Sequence, residues 1–425
     1  MNAAIATAMV VLLVLGVPIA VSIGLASMFG IHFFSPLPLV VSAQRLFTSI
    51  DLYPLMAIPF FILAGNLMAS GGISRRLVDL AKSIIGGIQG GLACSCVLTC
   101  MFFASVSGSS VATTYAIGAI LIPAMIRHHY PKPMATSVQA SSAELGVLLP
   151  PSIPLILYGV STDTSIGQLF IAGIGPGLLF ATAMILFIYV ACKVKGYGKE
   201  DGGERGSFVK AVQKAWAAIL MPVVIIGGIY GGVFTPTEAA AVAVFYALFV
   251  GMVIYRELSW RDLWPIFVTS VKGTVAIMLI IAAAGLFSFL ISRSGLPADV
   301  GVWINANFDS VVTFLLAVNL MLLIVGMFIE TSAAILVLAP ILTPVAISFG
   351  VDPVHFGLIV VVNLAIGMFT PPLGVNLFAA CSVADISLER IIPWLVPFVL
   401  VAISCLMLVT FLPIISLGLV ELMYP

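Results

Sequence analysis

Apolar residues run along this chain in unbroken blocks rather than in alternation, and most blocks are long enough to cross a bilayer. The pattern predicts spans near 1–16, 18–34, 53–70, 134–157, 165–195, 212–232, 236–255, 272–292, 354–380 and 391–420. The first two are separated only by Gly16-Val17-Pro18, which reads either as a turn or as a kink in one long helix. Two further apolar stretches, 91–127 and 311–349, exceed one simple span and are interrupted by small polar residues, at Ser105–Thr114 and Glu330–Ser332. Both read as re-entrant helical hairpins that enter and leave on one side, with a polar tip at membrane depth. The stretches Leu37–Ile50 and Leu258–Val271 are amphipathic and read as arms lying along the interface.

The pattern repeats. Gly146-x-x-x-Pro150-Pro151 returns as Gly367-x-x-x-Pro371-Pro372, a shift of 371 − 150 = 221 residues. The same shift carries Ala112 onto Ala333, Pro123 onto Pro344, Ser161 onto Ser382 and Pro176 onto Pro397. It also carries Pro18 close to Pro236, which favours a turn at Gly16–Pro18. A double proline removes backbone donors and clashes with the preceding turn, so each copy breaks its helix in mid-membrane. Paired interrupted spans in corresponding halves point to the binding site of a secondary transporter.

Charge sets the orientation. Arg75, Arg76, Lys82, Arg127, Lys132, Lys193, Lys195, Lys199, Arg205, Lys210, Arg256 and Arg261 all fall on one side of the ten-span arrangement, hence the cytoplasmic side. The exit of the second hairpin, Ser348–Pro353, has no Lys or Arg and belongs to the other side. The two repeats are therefore inverted, with both termini outside and Arg45 as a single outer exception. The linker 196–211 separates them. Composition agrees with a polytopic all-α membrane protein: 62% of residues are hydrophobic and 8% charged, with mean hydropathy +1.24. Zero net charge implies no nucleic acid partner. Met1–Phe34 is too continuously apolar for a cleavable signal peptide. The six cysteines lack a C-x-x-C pair and read as buried small hydrophobes. No metalloprotease, P-loop or Rossmann signature is present, so no enzyme and no organic cofactor is expected.

Chemistry concentrates at the tips and breaks. The first tip holds Ser105, Ser107, Gly108, Ser109 and Ser110. Gly108 permits the reversal, and Ser109 or Ser110 can cap the outgoing helix. That helix start presents free N–H groups and a positive dipole end, which suit a carboxylate. Carbonyls and hydroxyls around it suit Na⁺, and turn-and-cap chemistry alone also accounts for the run. The second tip, Glu330-Thr331-Ser332, adds a carboxylate. Glu330 can hold Na⁺ indirectly, accept hydroxyls from a substrate, carry a proton, or simply cap a helix. At the breaks, Gly146, Pro150, Gly367 and Gly374 free carbonyls, with Ser152, Thr370 and Asn376 as side-chain helpers. Expected substrate contacts are Ser109, Ser110, Ser152 and Glu330. The expected Na⁺ set is Ser105, Ser107, Gly108, Gly146, Pro150, Thr331, Ser332, Gly367, Thr370, Gly374 and Asn376, in two pseudo-symmetric groups. Glu144 is a second buried acid, while Asp163, Asp385 and the four histidines lie near span ends.

The motifs Pro59-Phe-Phe-Ile-Leu-Ala-Gly65-Asn, Ser107-Gly-Ser-Ser-Val-Ala-Thr113, Leu149-Pro-Pro-Ser152, Tyr230-Gly-Gly-Val-Phe-Thr-Pro-Thr-Glu-Ala-Ala240 and Thr370-Pro-Pro-Leu-Gly374 extend over nearly the whole chain. They resemble the large membrane subunit of tripartite ATP-independent periplasmic (TRAP) transporters, with a likeness to members of the sialic-acid type. The resemblance implies a Na⁺-coupled elevator importer of an organic acid (a sugar acid or a C4-dicarboxylate) in the bacterial inner membrane. It implies two partners: a soluble periplasmic binding protein and a small four-helix membrane subunit. It further implies a scaffold made of 1–87 and 212–310, and a moving transport domain made of 88–195 and 311–425. An elevator-type anion transporter that needs no binding protein is the alternative.

Overall fold

The computed structural model describes residues 1–199, 207–308 and 310–424; Arg205 and the middle of the expected linker, 200–206, lie outside them. The first half comprises α1 (Asn2–Val14), α2 (Ile19–Phe34), α3 (Val40–Ile50), α4 (Ala57–Ser70), α5 (Ile73–Ile85), α6 (Gly91–Ser107), α7 (Ser110–Arg127), α8 (Lys132–Ser142), α9 (Leu145–Leu148), α10 (Ile153–Thr162) and α11 (Ile166–Lys195). The second comprises α12 (Phe208–Tyr230), α13 (Pro236–Phe249), α14 (Trp260–Arg293), α15 (Leu296–Asn307), α16 (Val311–Phe328), α17 (Thr331–Ser348), α18 (Pro353–Met368), α19 (Val375–Ala384), α20 (Leu388–Phe411) and α21 (Ile414–Met423). Among the described residues, nine helices are long and apolar enough to cross a membrane. They become ten if 132–148 and 153–162, bent by 42°, count as one broken span. The all-helical polytopic class expected from the hydropathy pattern is the one observed.

Residues 1–34 form two helices. Gly16, at φ +78°, turns the chain where a side chain would be strained, and Pro18 opens α2. The two then fold back on each other, so closely that a methyl group on Gly30 would overlap Ile5. Both hairpins are present as helix pairs, α6 with α7 and α16 with α17, and both double prolines interrupt helices, after α9 and after α18.

Four segments differ from expectation. Residues 258–271 are no separate arm: α14 is continuous over 34 residues, about 50 Å at 1.5 Å per residue. No Gly-Pro or Pro-Pro break lies between its start and the span, so nothing ends the helix where the membrane begins. By contrast α3 is a separate arm, cut off before Pro54. Residues 391–420 are two helices, α20 and α21, parted at Leu412-Pro413. The short helices α5 and α15 lie outside the expected spans, because each is too short to register as one and α5 also carries Arg75, Arg76, Asp79 and Lys82. They are repeat mates: shifted by the same offset, 73–85 falls on 294–306. The signal in α5 was helical spacing, with Ile73, Leu77, Leu80 and Ala81 buried and the charged residues opposite.

The arm α3 is clamped to α14. Ser49 occupies the space a side chain at Gly285 would need, and the Arg45 guanidinium lies 3.9 Å above the Phe289 ring. A cation–π contact of this kind gives the Arg45 cation an aromatic partner.

The repeats exchange partners in the interior. α10 packs on α17, and α19 packs on α7, so the far half of each broken helix rests on the outgoing hairpin helix of the other repeat. Tyr158 on α10 seals one joint through Thr343 at 3.1 Å and the Pro353 carbonyl at 2.9 Å. A buried polar seam holds α16, α18 and α20 together: Asn363 donates to Asn319 at 2.7 Å and Asn319 to Thr410 at 3.0 Å. His355, expected near an interface, is buried in that region and pairs with Ser416 at 2.6 Å.

At the crossing of α16 and α18 the backbones touch. A methyl group on Gly326 would sit 3.1 Å from the Gly367 Cα, and one on Gly367 would overlap Gly326. Because the obstruction is backbone, no side-chain rotation relieves it. Gly367→Ala is therefore expected to destabilise the protein by about 1–3 kcal/mol. The check is a lowered thermal unfolding midpoint of the purified variant in detergent.

Candidate functional site

The first tip is a two-residue reversal between α6 and α7. Gly108 takes φ +62°, and Ser109 adopts extended backbone so that its hydroxyl accepts from the Ala112 N–H at 3.4 Å. Ser107 and Thr113 close the turn across their hydroxyls at 2.9 Å, and Thr113 also donates to the Ser109 carbonyl at 2.8 Å. Ser105 donates back to Phe102 at 2.7 Å. Thus Ser105, Ser107 and Ser109 are all engaged locally, as the turn-and-cap alternative requires.

This tip sits directly on the first break. The Gly108 carbonyl accepts from the Ile153 N–H at 3.3 Å, at the start of α10. Gly146 approaches so closely that a methyl group there would lie 2.7 Å from the Ser109 carbonyl oxygen. Between them, Leu149–Ser152 is unwound around a cis Pro150-Pro151 bond and buried throughout. Ser152 is fully buried; its hydroxyl donates to the Val147 carbonyl at 2.5 Å and accepts from the Leu155 N–H at 3.4 Å. It spans the break and caps α10, which leaves its proton committed within the chain.

The second tip reverses between α16 and α17 through Ile329 and Glu330. Glu330 is the N-cap of α17: its carboxylate accepts from the Ser332 N–H at 2.9 Å, the Ala333 N–H at 3.2 Å and the Ser332 hydroxyl at 2.8 Å. Ser109 and Glu330 are repeat mates under the same offset, and both cap the outgoing helix of their hairpin. Thr331 differs from its neighbours. Its hydroxyl is buried and meets no hydrogen-bonding partner.

The second break, Phe369–Gly374 with a cis Pro371-Pro372 bond, is more open than the first, and Leu373 is 49% exposed. Thr370 turns its hydroxyl back to the Ile366 carbonyl at 2.6 Å, and Gly374 caps α19. Gly367 lies against Gly326 of the second hairpin, as Gly146 lies against Ser109 of the first. Ser110, buried at the first tip, points its hydroxyl at the Met368 sulfur, 3.7 Å away, so the first tip also reaches the second break.

Asn376, expected beside Glu330, has its amide engaged elsewhere. Its Nδ2 donates to Glu144 at 2.7 Å and to the Ala140 carbonyl at 2.9 Å, and its Oδ1 accepts from Thr114. Sequence reasoning missed Thr114 and this pairing. The available signal was a buried acid, Glu144, with no partner of its own in the sequence neighbourhood.

Two cavities line the seam between the hairpin-bearing helices and the rest. One of about 200 Å³ is bounded by Ser49, Leu52, Val160, Ser161, Gly285 and Leu336; the other, of about 590 Å³, shares Leu52 and Val160 and extends to Asp163 and Thr235. Asp163 thus lies at an open cavity rather than in the core.

Residues 6–415 match the family described as "Tripartite ATP-independent periplasmic transporter, DctM component", and the chain belongs to that family. It is 43% identical over 406 residues to the isethionate TRAP transporter permease protein DctMQ of Oleidesulfovibrio alaskensis, covering 95% of this chain and 64% of that one. The C4-dicarboxylate TRAP transporter large permease protein DctM of Pseudomonas aeruginosa is 42% identical, with 94% and 93% covered. The sialic acid TRAP transporter large permease protein SiaM of Vibrio cholerae is 37% identical, with 97% and 96% covered. Among solved structures, the YdaH transporter of Alcanivorax borkumensis superposes with a TM-score of 0.68 over 90% of each chain, at 15% identity, which shows a shared fold.

Capping by Glu330 is a direct geometric claim. Glu330→Ala removes the oxygen that accepts from two N–H groups at the start of α17, and a lost cap costs about 1 kcal/mol. Amide hydrogen exchange at Thr331–Ala334 should therefore quicken about fivefold in Glu330→Ala. Glu330→Gln keeps an acceptor oxygen and should stay close to the parent rate.

Proposed function

We propose that this member of the DctM component family is the large permease subunit of an importer that couples Na⁺ entry to uptake of an organic acid anion across the bacterial inner membrane. Two broken helices, each closed by a hairpin tip, carry this reading. Carbonyl and hydroxyl oxygens cluster at these places and keep lone pairs that suit a small hard cation, and α7 and α17 direct their N-termini at the same region. The buried, unpartnered hydroxyl of Thr331 supports a cation at the second tip, because an oxygen without a donor or acceptor at that depth is costly. Thr331, Ser332, Gly367, Thr370 and Gly374 are its proposed surroundings, and Ser105, Ser107, Gly108, Gly146 and Pro150 those of the first.

No Lys or Arg lies in either tip or break, so an incoming carboxylate is met by helix N-termini, hydroxyls and bound Na⁺. Ser109 and Ser110 at the first tip are its proposed contacts, with Glu330 turned towards substrate hydroxyls. Ser152 supports this indirectly, by holding the start of α10. The substrate class is the wider one of small organic acid anions. Relatives named for isethionate, C4-dicarboxylates and sialic acid all match over most of this chain, so the sialic-acid likeness is one among several.

Two partners belong to this proposal: a periplasmic binding protein and a small membrane subunit. The third of the DctMQ relative that lies outside the match supports a second membrane component joined to the first. The joints α10–α17 and α7–α19 lock helices α6–α11 to α16–α21 across the repeats, and in this proposal they move as one body against α1–α5 and α12–α15, sliding at the contacts of α5 with α6 and of α14 and α15 with α17.

Two experiments test this. In proteoliposomes containing the assembled transporter and its binding protein, replacing Na⁺ by choline at fixed pH and voltage should abolish uptake; undiminished uptake refutes coupling. For the moving body, Ser49→Cys combined with Ser161→Cys places two thiols on one cavity between arm α3 and α10. Bridging them with a short cross-linker should stop uptake, and a cleavable linker should restore it on cleavage. Full activity with the bridge intact means the two bodies do not move apart.

A further inference from the structure

We propose that Thr114, Glu144 and Asn376 form a positioning bridge through which the two broken helices sense each other, so that a cation at one tip sets the affinity of the other. The proposal rests on the cation-coupled reading above.

Asn376 stands two residues beyond Gly374 at the start of α19, yet every polar atom its side chain engages belongs to the first repeat. Nδ2 donates to Glu144 Oε1 at 2.7 Å and to the Ala140 carbonyl at 2.9 Å, and Oδ1 accepts from the Thr114 hydroxyl. Glu144 lies in the gap between α8 and α9, two residues before Gly146 of the first break. All three side chains are fully buried, so no water replaces a bond that is lost.

The other end of the second break is held from the same place. Met368 closes α18, and its sulfur lies 3.7 Å from the Ser110 hydroxyl. Ser110 and Thr114 are one helical turn apart on α7 and share a face. Both ends of the second break therefore rest on the first turn of the helix that begins at the first tip. An ion that orders this turn orders the second break with it.

The repeat itself argues that this polarity is not needed for folding. The equivalent joint, between α10 and α17, has Leu155 in place of Asn376, Ile335 in place of Thr114 and Ala365 in place of Glu144, all buried. At those three positions the same architecture is closed by apolar packing, and the polar contact of that joint, Tyr158 with Thr343, involves neither break. The polar version is confined to one side, where it links break to break.

The test is a Na⁺ titration of initial uptake by the reconstituted complex. Parent uptake should be sigmoidal in Na⁺, with a Hill coefficient above about 1. Thr114→Val keeps the side-chain shape but removes the hydroxyl, and Glu144→Ala removes the acceptor. Each should bring the Hill coefficient to about 1 and raise half-saturating Na⁺ several-fold, while maximal uptake at saturating Na⁺ stays within about twofold of the parent. Combining them should lower the coefficient no further, because both cut one bridge. Glu144→Gln retains a carbonyl oxygen for Asn376 and should restore the parent coefficient. An unchanged coefficient in Thr114→Val and Glu144→Ala overturns the bridge, as does a fall in maximal uptake with cooperativity intact, which marks packing alone. Parent uptake that ignores Na⁺ refutes the coupled reading itself, and the bridge falls with it.

Discussion

A helix cannot be opened inside lipid unless protein surrounds the opening, because freed N–H and C=O groups find no water there. This constraint explains why each break is never alone. The first is enclosed on all sides, with the Gly108 carbonyl taking the Ile153 N–H and Gly146 pressed against the Ser109 backbone. The second is shielded by Gly326 against Gly367 on one side and by α7 on the other. Hairpins supply the shields, since a tip brings backbone, hydroxyls and a helix N-terminus to mid-depth at once.

Shielding also dictates where small residues stand. Gly146 and Gly367 occupy the same place in the two repeats, and in both a single methyl group would collide with hairpin backbone. Tips and breaks are nearly self-sufficient: Ser105, Ser107, Ser109, Ser152 and Thr370 all satisfy their hydroxyls within a few residues. The exception is Thr331, the one tip hydroxyl among the described residues that is buried without a hydrogen-bonding partner.

The two halves are not equivalent in detail. The first tip is capped by a neutral serine and the second by a carboxylate, and the first break is buried where the second exposes Leu373. The joint between α7 and α19 is polar, whereas the matching joint between α10 and α17 is apolar apart from Tyr158 and Thr343. An inverted repeat supplies two copies of a framework, and the departures from symmetry lie where the chemistry is concentrated.

Much of this was legible in the sequence. The double prolines, the 221-residue offset and the apolar block lengths determined the two broken helices, the two hairpins and the all-helical class, because proline stereochemistry and bilayer thickness act locally. Gly108 as the reversal and a serine cap at 109 or 110 followed from the same local rules, and the structure selects Ser109. Local rules were also where the reading stopped. The 258–271 segment carries the composition of an interfacial arm but runs straight into α14, and α5 and α15 are too short to stand out as spans. Above all, only the tertiary structure paired Asn376 with Glu144 and Thr114, 232 and 262 residues away. Such a pairing depends on which helix crosses which, and helix crossing is settled by packing of whole surfaces, a property that no single stretch of sequence contains.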